Sequence, residues 1–165
     1  MKILGVDPGL AILGWSILEA EGHIPIHVHY GCIRTTSSTP LSRRLVEISA
    51  DFSLLLEQHQ PDAIALETLF FVKNAKTLAQ VGHTRGVVLL SAGERNISIF
   101  EYAPRQIKMA LTGYGGAEKR QMQLVIQRRL ALPSIPKPDD AADAVAVALC
   151  HLQYSQTMGK TALTV

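Results

Sequence analysis

Four carboxylates in three separate stretches of the chain have the types and spacing to hold a hard divalent cation. Asp7 ends the apolar run Lys2-Ile3-Leu4-Gly5-Val6 and is followed at once by Pro8-Gly9. Glu67 ends a second apolar run, Ala63-Ile64-Ala65-Leu66. Asp140 and Asp143 open an alanine-rich segment that continues to Leu149. An ionised carboxylate on a buried strand is costly to desolvate unless a cation or hydrogen bonds compensate it. Hard cations prefer oxygen ligands, and magnesium keeps several waters as well. Two such cations can clamp both sides of a phosphodiester undergoing in-line attack, so the set points to a metal-dependent nuclease.

Each acid also has a plainer reading. Asp-Pro-Gly is good turn chemistry by itself, and a lone Glu67 could be a solvated strand end. Asp140 and Asp143 are three apart and share a helix face, but Asp139 and Asp143 are four apart and share it too. Spacing leaves Asp139 and Asp140 both open. Asp139 follows Pro138 and is placed as the helix N-cap, which leaves Asp140 in the first turn. Capping accounts for Asp139, since acids are favoured near a helix N-terminus. It does not account for Asp143, which is set among alanine and valine. Two strand-end acids together with an acidic helix start outweigh the separate readings.

The elements that must position these acids follow from the hydrophobic pattern. Residues 2–7, 14–19 and 27–35 read as three strands with turns at Pro8-Gly9 and Glu21-Gly22. Leu41, Leu45, Ile48, Phe52, Leu55 and Leu56 recur with a helical period, and Pro61-Asp62 stops that helix. Residues 63–67 are apolar on both faces, as in a covered central strand. A helix follows from about Asn74 to Glu94; its Gly82 and Gly86 are one turn apart, so close packing against another element is expected there. Residues 97–102 form a fifth strand. Helices over 104–111 and 117–130 and a final helix complete an α/β fold, a mixed five-stranded sheet with helices on both faces.

Composition fits one ordinary folded domain over residues 1–154, with a polar, frayed tail at 155–165. Of the 165 residues, 47% are hydrophobic and 18% charged, which excludes a disordered chain. The apolar runs are too short to span a bilayer, and no signal peptide is read, so a cytoplasmic protein is expected. Cys32 and Cys150 lie far apart without C-x-x-C spacing and read as reduced core fillers. His27 and His29 share a strand face, but with no third histidine or cysteine nearby in sequence no zinc site is expected. A net charge of only +2 makes local basic pairs more informative than the total. Of these pairs, Arg43-Arg44 and Arg128-Arg129 read as solvated helix faces, whereas Lys119-Arg120 remains open.

Seven stretches, taken in order, resemble the RuvC-type Holliday junction resolvases. They are Gly5-Val6-Asp7-Pro8-Gly9, Ala65-Leu66-Glu67, Lys73-Asn74-Ala75, Arg85-Gly86-Val87, residues 100–108, Gly116-Ala117-Glu118-Lys119 and Asp140-Ala141-Ala142-Asp143-Ala144. The similarity runs from Lys2 to about Leu152. It implies an RNase H-like fold and a homodimer that nicks two opposing strands of a four-way DNA junction symmetrically. It also implies magnesium or manganese, two ions per site, with Asp7, Glu67, Asp140 and Asp143 as the catalytic, metal-binding set. Lys108 and Lys119 match basic positions near the scissile strand, and Phe70 matches an aromatic that stacks on bases at the crossover. Lys73, Lys76 and Arg85 are expected along the same groove, and the Gly82/Gly86 helix at the dimer contact. Association with the branch-migration proteins RuvA and RuvB is implied by the family alone.

Three rivals are weighed against this reading. An RNase H-like nuclease acting on structured RNA would share the carboxylates. An actin-like or sugar-kinase-like ATPase would need a second glycine-rich phosphate loop and a longer, two-lobed chain, neither of which is seen. A non-catalytic junction-binding protein would have lost one or more of the acids, and all four are present.

Overall fold

The computed structural model describes residues 1–68 and 75–155. Five strands form one sheet in the order β3-β2-β1-β4-β5. β1 (Lys2–Asp7) runs antiparallel to β2 (Ile12–Glu21), and β2 runs antiparallel to β3 (Ile24–Arg34). α1 (Leu41–His59) returns the chain so that β4 (Ala63–Glu67) lies parallel to β1. α2 (Ala75–Glu94) does the same for β5 (Ser98–Tyr102), which is parallel to β4. α3 (Pro104–Thr112), α4 (Lys119–Arg129) and α5 (Asp139–Tyr154) complete the order. The mixed five-stranded sheet expected from the sequence is what forms.

Alternation along the strands divides the core in two. Leu4 and Val6 of β1, Leu13 and Ile17 of β2, and Ile64 and Leu66 of β4 pack under α1 and α2 with Ile48, Phe52 and Val88. Ile3, Leu18, Ala65 and Tyr102 face the other way, onto α3, α4 and α5. α5 is buried almost throughout, which explains its alanine content: the helix lies flush on the sheet, where a large side chain has no room.

Several expectations change. β2 and β3 extend beyond the predicted spans, because hairpin pairing carries the ladder out to Glu21 and Ile24. Pro25 is tolerated there because β3 is an edge strand and the register shifts beside it. Arg44 is not a solvated charge. It is buried, and its Nε donates to Thr35 Oγ1 at 2.8 Å. The Gly82/Gly86 pair is not packed against another element of the chain: a Cβ at either position would meet nothing within 4 Å. A third histidine does approach the His27/His29 pair, since the C-terminal end of α1 brings the His59 ring to 6.0 Å from that of His29. Even so, these three histidines do not make a group that could hold a metal ion. No helix among those residues is long and apolar enough to cross a membrane.

Candidate active site

Parallel pairing brings the two strand-end carboxylates together. Ile3, Gly5 and Asp7 share one face of β1, and Ala63, Ala65 and Glu67 share the same face of β4. Gly5 pairs with Ala65 and Val6 with Leu66, so Asp7 and Glu67 emerge side by side at the C-terminal edge of the strands. This is the face that α5 covers. A Cβ on Gly5 would lie 2.1 Å from the Ala144 carbonyl oxygen, and one on Gly14 would lie 2.0 Å from that of Asp140. Glycine is required at both positions by the approach of a helix from the far end of the sequence. Ser16 Oγ, buried between them, donates to the Ala144 carbonyl oxygen at 2.9 Å. These contacts fix where Asp140 and Asp143 meet the strand ends.

The turn behind Asp7 is braced from the opposite layer. The Thr35 hydroxyl donates to the Leu10 carbonyl oxygen at 2.6 Å while accepting from Arg44 Nε. Nothing in the local sequence marks Gly5, Gly14, Ser16 or Arg44 for these roles, which depend on partners distant along the chain.

Asp139 is not the N-cap. It is the first residue of α5, with Pro138 at the cap position. Its carboxylate turns to α4 instead, where Gln123 Nε2 donates to Oδ1 at 3.2 Å and Lys119 Nζ lies 3.1 Å from Oδ2. A cation and an amide donor on a neighbouring helix satisfy it better than the orphan N–H groups of its own first turn. Lys119 also reaches Asp143, at 3.2 Å. Burial pulls the Lys119 pKa down, but its bonds to Asp139 and Asp143 outweigh this and hold it above the ordinary value.

The carboxylates repel one another. Burial, then Asp143, Glu67 and Asp140 in turn, push the Asp7 pKa up to about 7 against the opposing pull of Lys119. Burial and then Asp143 raise Glu67 over the opposition of Lys108. Burial raises Asp143 despite Lys119. Glu67, Asp143, Lys108 and Lys119 line one cavity of about 280 Å³, with Ile107 and Met122 as an apolar wall. Asp140 lines a different cavity of about 270 Å³ beside Gly9 and Gln80. The donors suit a divalent cation in chemistry, since all are carboxylate oxygens, although among the described residues no three of them already form a ready-made metal group. A cation would relieve the burial and repulsion at Asp7, Glu67 and Asp143.

Other expected site residues fall elsewhere. Arg85 is paired with Glu101, which alternates with Phe100 and Tyr102 and so points to the α2 face of the sheet, away from the carboxylates. It is therefore not an open cation in the groove. Phe70 and Lys73 lie outside the described residues.

The description "Crossover junction endodeoxyribonuclease RuvC" belongs to the family model that matches residues 3–151. Proteins of that name from Desulforamulus reducens and Thermotoga petrophila are similar to this chain. The first is 48% identical over 159 residues, 96% of this chain and 98% of the relative. The second is 50% identical over 156 residues, 94% of each. Among solved structures, T. thermophilus RuvC in complex with Holliday junction substrate superposes with a TM-score of 0.91. It is 32% identical and covers 95% of this chain and 96% of its own. That match bears out the RNase H-like fold.

Proposed function

The chain belongs to the RuvC family of crossover junction endodeoxyribonucleases, and from that premise we propose that Asp7, Glu67, Asp140 and Asp143 are the groups with which it resolves Holliday junctions. The convergence of Asp7, Glu67 and Asp143 with Lys108 and Lys119 at one edge of the sheet carries this reading. The four carboxylates would hold two magnesium ions, or manganese in their place. When bound, the ions lower the cost of ionising water near neutral pH and offset charge on the leaving 3′ oxygen.

The chain's own residues do the rest. Lys108 and Lys119 neutralise the phosphate that enters beside Glu67 and Asp143, and their donors orient it for in-line attack. Lys119 serves a second purpose, opposing the upward push of burial on the Asp143 pKa. Ile107 and Met122 exclude water from one side, which strengthens each charge interaction within the cavity. Phe70 stacks on bases opened at the crossover, and Lys73 contacts the same strand; both assignments rest on the family resemblance. Residues 1–154 act as one nuclease domain. The working unit is a homodimer in the cytoplasm that makes paired, symmetric nicks in cooperation with RuvA and RuvB.

The test compares a labelled synthetic four-way junction with a linear duplex and a structured RNA, each with magnesium, with Asp7→Asn as the control. Paired nicks in the junction alone, lost in Asp7→Asn while binding persists, are expected. Failure of folded dimer to cut the junction with either magnesium or manganese would sink the reading. Cleavage of the RNA instead would leave the metal site standing and reassign the substrate.

A further inference from the structure

α4 carries two polar stripes, and only one of them serves the carboxylates. Lys119 and Gln123, four residues apart, share the face that meets Asp139 and Asp143. Arg120 and Gln127, seven apart, share a neighbouring face. That second face borders a cavity of about 590 Å³ whose lining includes Tyr30, Arg120, Gln127, Ser134 and Lys137. Its walls are the edge strand β3, α4 and residues 133–137, which lead directly into α5. Gln127 Nε2 donates to the Pro133 carbonyl oxygen at 3.4 Å and ties this segment to the helix.

The charge in this cavity is uncompensated. Arg120 and Lys137 are both exposed, and neither forms an ion pair or side-chain hydrogen bond with the described residues. No carboxylate lines the cavity. α4 itself holds four basic residues and no acidic one. A guanidinium, an ammonium, a phenol, a hydroxyl and an amide around one concavity form a donor set suited to phosphate oxygens. Along the chain the cavity's residues adjoin those of the candidate active site, although the two cavities share no lining residue. Arg120 follows Lys119 directly, and the segment bearing Lys137 ends at Asp139 and Asp140.

We propose that this cavity is a second phosphate-binding site, which grips the sugar–phosphate backbone of a junction arm beside the strand being cut. It rests on the junction-cleaving reading above and adds to it a place where DNA is held outside the cleavage centre. Contacts of this kind carry no base information, so they hold an arm of any sequence in register while Lys119 meets the scissile phosphate.

The experiment measures junction affinity of the wild type and of Arg120→Gln/Lys137→Gln across a salt series. Junctions with long arms are compared with junctions whose arms are cut back to a few base pairs. With long arms the double variant is expected to bind roughly tenfold more weakly at moderate salt. The slope of log affinity against log salt should be shallower by about two, one for each phosphate that the variant no longer neutralises. The single-turnover rate at saturating enzyme and the melting temperature should not change, and the affinity difference should vanish with short arms. Wild-type affinity and slope in the double variant would overturn the proposal, as would a weakening that persists undiminished with short arms. If the wild type itself showed no preference for junction over duplex, the function proposed above would fail instead. The slope of the double variant on plain duplex would then still decide whether the cavity holds backbone phosphate.

Discussion

At Asp7, burial and three neighbouring carboxylates act in one direction, and the cost falls on stability. Its folded pKa, about 7, lies above the unfolded value of 3.8, so the penalty is absent below pH 3.8 and complete above pH 7. Asp7→Asn should therefore abolish cleavage and yet raise stability at pH 7.5. A gain of about 2 kcal/mol is expected, allowing for partial solvent screening of a side chain that is not fully buried. Urea unfolding without divalent cation should show that gain at pH 7.5 and lose it near pH 4, and added magnesium should narrow it by stabilising the wild type alone. Lys119 opposes the same shift and also opposes that of Asp143. Lys119→Met should accordingly move the acid limb of the rate–pH profile to higher pH as well as lowering the rate; an unmoved limb would confine Lys119 to phosphate binding. The strand-end acids were legible in the sequence because a carboxylate closing an apolar run is conspicuous. The choice between Asp139 and Asp140 was not, since helical spacing admits both, and only the amide and ammonium on α4 show where the Asp139 side chain goes.

The seam between α5 and the sheet was the least legible element in the sequence. The alanine-rich helix and its partner strands were readable from periodicity, but Gly5 and Gly14 look like unremarkable strand residues until α5 is laid across them. Gly14→Ala should drive a methyl into the Asp140 carbonyl, destabilising the fold by about 3 kcal/mol and displacing the acidic start of the helix. Chemical denaturation together with single-turnover cleavage would check both effects, and a stable, active Gly14→Ala would show that the seam is looser than described. At the other end of α5, His151 Nδ1 lies 2.7 Å from the Tyr102 hydroxyl in a buried contact. Burial depresses the His151 pKa to about 4, below its unfolded value of 6.5. Its contribution is present above pH 6.5 and is lost as the pH falls through 4, by up to about 3 kcal/mol. Asp7 gains stability over much of the same range, so the two slopes oppose each other. The acid loss should be steeper in Asp7→Asn than in the wild type and flatter once His151→Gln is added, as measured by urea midpoints between pH 4 and 7.

At the scale of the whole molecule, Gly82 and Gly86 of α2 bear on assembly. Gly82 and Gly86 have open space beside them, so they give up helix propensity without any packing return inside the chain. A second copy of the chain approaching there would supply that return and give the two-fold symmetry that paired nicking requires. Gly86→Glu should leave the circular dichroism spectrum unchanged but shift sedimentation to monomer and convert paired nicks to single ones; a dimer that persists would place the contact elsewhere. The flush packing of α5 also bears on the order in which the chain is made. Asp7 and Glu67 emerge from the ribosome well before the helix that carries Asp140 and Asp143, and the sheet face around Gly5 and Ser16 stays uncovered until then. A nascent or prematurely terminated chain thus holds half a set of carboxylates on an unsealed surface. With the roles proposed for Asp140 and Asp143, cutting power would arrive only when the last helix docks, leaving a chain inactive during its own synthesis.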